Sequence, residues 1–533
     1  MRTIQFLPGI AGMLGVSLAA LAFAGCGGSS SNNGNNGGGD GGVTTTPGGG
    51  DAGSPTSDSG FPTGTPPGTD ASLPDGSVPP SGTQLAKSGT LVLNGVTTDD
   101  FAIYTDTSAK TVYAVALTAG SAPISLGSVD SYDDVTVSGK VVLIGTNSSQ
   151  AGVGPLSVWK SGAAKPASLA TAAAMGSYAT SGDDAYVLYF DGVDANATTG
   201  NLYAAATDGT GAMQLVAGVD LQGNVCAPSI QFGGTTAVAA YCLASAGAGA
   251  DAGSGDDGGT AVENVATVAT YAAPGWKATS LSTTAQPIFT VDPKGTTVLV
   301  TTAAGLLAYP AAGGSPVTID ATGTAGGLLT NDGSHAIYTT SASALVRAAT
   351  TSPPGPTTLS AAGSFASVYG LSPDENWTAG SSPANGGNDL FLASATTAGT
   401  ATSLSTAAAI GGDLFTADSS HVLYFTNVSK GSGTLTASPT AGGSPVTLGT
   451  GAIYDLATKA GKVVFSDNFN RQGGTQGTAD LRSFDTAAGG SSTLLVSLAD
   501  PYVFLSTEKD KIVYTWSDYP NSASAGLWVI PAP

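Results

Sequence analysis

The chain has 533 residues, of which 41% are hydrophobic and only 10% are charged, with 77 glycines and a formal net charge of −21. Such an acidic chain is repelled by the nucleic-acid backbone and by anionic lipid surfaces, so neither is an expected partner without a covalent anchor. Few long side chains and many small ones suit short strands and tight turns better than long helices.

Residues 1–25 read as a signal peptide. Arg2 precedes an apolar stretch that is densest from Ile10 to Ala24. That length fits a signal core and falls short of the roughly 20 residues a membrane span needs. The stretch ends in Phe23-Ala24-Gly25-Cys26. This resembles the lipobox of bacterial lipoproteins, with Phe23 where Leu is usual. The resemblance implies a lipid on Cys26 and a place in the cell envelope. Gly27, where Asp would signal inner-membrane retention, implies the outer membrane, facing the periplasm or the cell surface. Ala22-Phe23-Ala24 also fits ordinary signal cleavage, and that alternative releases a soluble secreted protein.

Residues 26–84 form a linker of Gly, Ser, Asn, Thr, Pro and Asp. It has little apolar surface to bury, so it cannot offset its ordering entropy and is expected to be disordered.

From residue 85 to 533 the chain is periodic. Short strands recur in fours, and third-strand positions align at Val112, Leu156, Leu202, Thr267, Leu306, Leu345, Leu390, Leu435, Leu481 and Leu527. Their spacing is 39–46 residues, apart from one interval of 65 that holds the insert Gly247–Gly259. Gly313–Thr318 recurs as Gly442–Thr447, and Ala278–Thr283 recurs at Ala401–Thr406. Four strands per 40–50 residues mark a β-propeller blade. Leu371-Ser372-Pro373-Asp374 is similar to the turn of TolB-like repeats, with Glu375 where Gly is usual, and the whole region resembles the TolB-like and WD40-like propeller families. Val291–Gly295 and Thr330–Gly333 are looser versions. The expected fold is all-β, a propeller of about ten blades. One large ring is favoured, and two smaller rings in tandem are the alternative. The last repeat lacks a fourth strand, and Thr90–Leu93 is expected to supply it and close the ring.

Acid pairs at Asp99-Asp100, Asp133-Asp134 and Asp183-Asp184 are read as turns before second strands, where Asp bonds its own backbone. Ser157-Val158-Trp159-Lys160 spells the SxxK of penicillin-recognising enzymes, but it falls in a third strand rather than at a helix start. Cys226 and Cys242 lie symmetrically about Gly234, so a hairpin would oppose them, and a disulfide is expected in an exported chain. His335 and His421 share one repeat position, the entry to a second strand. No catalytic residues, metal site or cofactor are expected.

The loops between second and third strands vary most: 145–155, 191–200, 245–263, 466–480 and 516–526. Loops on a rigid scaffold commonly carry binding. Asp467, Asn468, Asn470, Arg471, Trp516, Asp518 and Tyr519 are therefore the candidate binding residues. The expected function is a lipid-anchored binding or scaffold module for an envelope or surface protein, a peptide or a glycan. The alternatives are a hydrolase or lyase using loop carboxylates, and a structural envelope component.

Overall fold

The computed structural model describes residues 80–533, except 130–133, 147–151, 195, 223–227, 245–265, 285–287, 323, 364, 382–388, 430, 474–475 and 517–524. Cys26, Cys226, Asp518 and Tyr519 lie outside the described residues. Among those described, regular structure is β apart from one 3-10 turn at Lys459–Gly461.

Ten four-stranded antiparallel sheets follow one another along the chain. All ten aligned third-strand positions fall in third strands, and nine of them are apolar side chains at most 1% exposed. Each is an inward position on a central strand, where period-two alternation puts a side chain against the next sheet. The near-copies also fall in register. Gly313–Thr318 and Gly442–Thr447 enter the fourth strands of blades 5 and 8, and Ala278–Thr283 and Ala401–Thr406 overlap those of blades 4 and 7.

Hydrogen bonds decide between one ring and two. Thr98 N–H donates to Gly139 O from blade 1 to blade 2, and Thr180 reaches Ser138 between blades 3 and 2. Gly182 N–H donates to Gly234 O, and Gly234 N–H to Pro293 O, which links blades 3, 4 and 5. Thr290 donates to Gly327 O, Asn331 N–H to the Glu375 carboxylate, and Asp374 N–H to the Ser419 hydroxyl, which carries the chain of bonds to blade 8. Ala457 N–H donates to Asp413, and Lys509 donates to Ala457 O, reaching blade 10. Thr507 N–H and Lys511 then donate to the Asp100 carboxylate of blade 1. Every seam is bonded and the circuit closes, so the blades form a single ring of ten.

The strand that closes the ring is not the one expected from sequence. Leu91–Val96 is the complete first strand of blade 1, and Thr83–Ala86 pairs with Gly526–Pro531 as the fourth strand of blade 10. Leu85 packs into the seam core with Leu91, Tyr104, Leu527 and Val529. Thr90–Leu93 is the more apolar of the two segments, and the pairing partner across the ring nevertheless selects Thr83–Ala86.

A Ser/Thr-x-Asp box shapes the turn before many second strands. Thr97, Ser181, Thr330, Ser372 and Thr416 donate their hydroxyls to the Asp two residues on. The same hydroxyl accepts the N–H of the residue opening the second strand. Asp99 and Asp183 therefore serve their turns, as read from sequence. Asp134 does not: it opens Asp134–Ser138, the first strand of blade 2, and accepts the Tyr178 hydroxyl of blade 3. Glycine permits close approach where seams are tightest. A side chain on Gly233 would sit 2.1 Å from Asp292 O, and one on Gly295 would sit 2.0 Å from Gly233 O.

The blade 4 hairpin turns one half-step from the predicted centre. Gly233 pairs with Thr236 and Ser229 with Ala240, so the axis lies between Gly234 and Thr235. That ladder ends before Cys242, which is buried and disulfide-bonded.

Candidate binding hairpin of blade 9

The segment 466–480 was expected to be a polar loop. It is instead an extension of the sheet. Lys462–Gly473 and Gln476–Asp485 pair from Lys462↔Asp485 to Gly473↔Gln476. At 12 and 10 residues these are the longest strands among the described residues. Its apolar base follows from Val463, Val464 and Phe465, all fully buried. Beyond Ser466 the sequence turns polar, and the ladder slips between Asp467 and Asn470 and again before Gly473. Asn468 takes a left-handed φ of 52° at the first slip, a conformation that asparagine tolerates better than most residues.

The predicted residues separate into anchors and exposed groups. Asp467 is an anchor: it is 7% exposed, accepts Gly451 N–H at 3.0 Å, and lies 3.6 Å from Arg482 Nε. Gly449 makes room for it, since a Cβ there would meet the Asp467 carboxylate at 2.7–2.8 Å. Arg482 also lies 3.9 Å from Asp480 and donates to Ser492 at 3.3 Å. Asn468 is exposed and donates to Asp480 at 2.8 Å, and Asn470 is exposed opposite Thr478. Arg471 continues the ladder opposite Gly477. The contacts of Asp467 and Asn468 across the hairpin add Arg482 and Asp480 to the set. Sequence spacing alone does not mark those two, because their partners lie on the opposite strand.

Trp516 is not a surface residue. It is 1% exposed, and its indole N–H donates to Ser497 O at 3.0 Å, which ties the second strand of blade 10 to the fourth strand of blade 9. Its place at the strand end suggested a loop, but the strand runs through it as Lys511–Trp516.

The two histidines occupy equivalent chains of hydrogen bonds. Asp332 accepts the Ser334 hydroxyl at 2.7 Å, and that hydroxyl lies 2.8 Å from His335 Nδ1. Asp418, Ser420 and His421 repeat the pattern. Serine stands between acid and imidazole, whereas a nucleophile needs the imidazole between serine and acid. The Ser334 N–H and hydroxyl hold Asp332 below its ordinary value. At Asp418 burial pushes upward, and bonds from Ser420 and Thr416 outweigh it, so that carboxyl is lowered too. Burial lowers both histidines, with Arg347 adding to it at His335. Ser157 lies within the third strand Val153–Lys160, as expected.

No protein-family model matches this chain, and no curated protein matches it either. Among solved structures it is similar to a eukaryotic initiation factor, at 11% identity and a TM-score of 0.41 over 78% of this chain and 91% of that one. It is also similar to dihydro-heme d1 dehydrogenase NirN in complex with DHE, at 14% identity and a TM-score of 0.36 over 69% and 75%. The tricorn protease aligns at 10% identity and a TM-score of 0.29 over 84% of this chain and 52% of that one.

Proposed function

We propose that this chain is a lipid-tethered extracytoplasmic binding module whose blade 9 hairpin engages an envelope or surface protein, a peptide or a glycan. The observation that carries the reading is the hairpin itself. It is built from the longest strands among the described residues, stands on a buried apolar base, and presents Asn468 and Asn470 to solvent. Asp467 and Arg482 brace it from below, which lowers the ordering cost on binding. The turn acids Asp99 and Asp183 favour binding over catalysis, because hydroxyls of their own turns, and at Asp183 a backbone N–H as well, bond their oxygens.

The test is capture from envelope extracts with the mature chain and with a variant whose residues 468–478 are replaced by a short Gly-Ser turn. Specific partners should be retained by the first and lost by the second. Identical partner sets would remove the hairpin from the reading. The tether is tested separately by metabolic labelling with an alkyne fatty acid. Wild type should be labelled and Cys26→Ala should not, and labelling of both would overturn the anchor.

A further inference from the structure

The first strand of blade 8 is broken. Ala408 and Ala409 pair with Thr426 and Phe425, and a continuous ladder would then set residue 412 opposite Val422. Phe415 stands there instead, so three extra residues are accommodated between Ala409 and Phe415. Bulges of this kind re-aim a side chain. Here Gly412, at φ +71°, lies so close to blade 9 that a Cβ would sit 2.1 Å from Asp455 O. The next residue, Asp413, accepts the N–H of Ala457 at 2.7 Å.

Asp455, on the first strand Tyr454–Ala457 of blade 9, has no exposed surface, and the backbone N–H of Asp413 approaches its carboxylate without making a well-aligned hydrogen bond. A buried carboxylate without well-formed hydrogen bonds is costly, and two neighbouring acids, one fully buried and one partly so, resist ionising together. The other groups around the pair do not neutralise it. Lys509 donates its ammonium to Ala457 O at 2.9 Å. Tyr454 is held neutral, pushed up to about 12 by burial and by Asp413, Asp455 and Tyr502. Tyr502 is itself raised by burial and stacks edge-on against Tyr454. Among the described residues no three His, Cys, Asp or Glu side chains gather to hold a metal ion, and calcium takes 6–8 oxygens.

We propose that the neighbouring Asp413 and Asp455 keep one proton between them as a pair at the seam of blades 8 and 9, and that losing it loosens the seam. Burial raises both carboxyls, and Asp413 raises Asp455 further; the Asp413 backbone N–H partly offsets the rise at Asp455, and Ala457 N–H and Lys509 partly offset that at Asp413. The folded state therefore keeps a proton that the unfolded chain releases near pH 3.9. Stability from this pair is present in acid and is lost as pH rises toward the folded value, with the folding constant falling about tenfold per pH unit in between. Asp455 pairs with Phe465 and Tyr454 with Ser466, so the latch borders the base of the hairpin. It does not depend on the hairpin's binding role.

The experiment compares thermal unfolding of wild type and Asp455→Asn between about pH 5 and pH 9. Wild type should lose stability with rising pH more steeply than the variant, whose amide keeps the shape without the charge. Parallel slopes would overturn the proposal. Wild type alone supplies a second readout: an infrared carbonyl band of a neutral carboxylic acid at neutral pH, sensitive to deuteration. Absence of that band would overturn the proposal even if the variant does not fold. Added calcium or sodium that raises wild-type stability at high pH, with no effect on Asp455→Asn, would also overturn it by replacing the proton with a cation.

Discussion

Cysteines at Thr83 and Val529 should lock the ring into a covalent circle. The two residues are directly paired where the N-terminal strand joins the last blade. Opposed antiparallel residues have Cα atoms about 4.5–5.5 Å apart, inside the usual disulfide range of about 4.4–6.8 Å. The bond would close a loop running from residue 83 to residue 529. In the chain-entropy account a loop of that length is worth about 6 kcal/mol, a ceiling that native strain reduces. The assay uses Cys26→Ser to remove a competing thiol, mild oxidation of the folded protein, and mobility on a denaturing gel without reductant. The change in urea midpoint on adding reductant, less the same change in the Cys26→Ser parent whose Cys242 disulfide is also reduced, then gives the stabilisation. Val92→Cys with Val529→Cys is the control, because Val92 lies half-exposed on the first strand of blade 1. Failure of the Thr83–Val529 pair to cross-link, or equal cross-linking of the control, would refute closure by the 83–86 strand.

Three further outcomes follow from particular contacts. Gly412→Ala puts a methyl against Asp455 O at a left-handed backbone position and should cost about 2–4 kcal/mol. Gly431→Ala, at φ +87° with open space around it, should cost only about 1 kcal/mol, and thermal melts of the two variants should separate clearly. Trp516→Phe leaves the Ser497 carbonyl without its buried donor, so a loss of about 1–3 kcal/mol in a urea titration is expected, with partner capture unchanged. His335 and His421 should titrate below about 6.5 by NMR. The unfolded chain then binds more protons than the folded one just below that pH, so these two side chains make acidification destabilising. That sign is opposite to the effect of the Asp413–Asp455 pair.

The sequence by itself determined the blade. Strand period, turn residues and the 39–46 residue spacing are local properties, and each blade is built from neighbouring hairpins, so ten third strands were legible without coordinates. The turn acids were legible for the same reason, since an Asp that bonds its own backbone needs only its neighbours. What crosses between blades was decided by the tertiary structure. Thr90–Leu93 reads as the stronger strand in sequence, yet the edge of Gly526–Pro531 pairs with Thr83–Ala86. Trp516 and the 466–480 segment look like loop residues until a neighbouring strand covers one and a partner strand pairs the other. Asp413 and Asp455 are 42 residues apart, on separate blades, and no spacing rule connects them. Ring closure sets the distances between blades, so the contacts that fix the seams, the hairpin's exposure and the buried acid pair arise only when all ten sheets are packed.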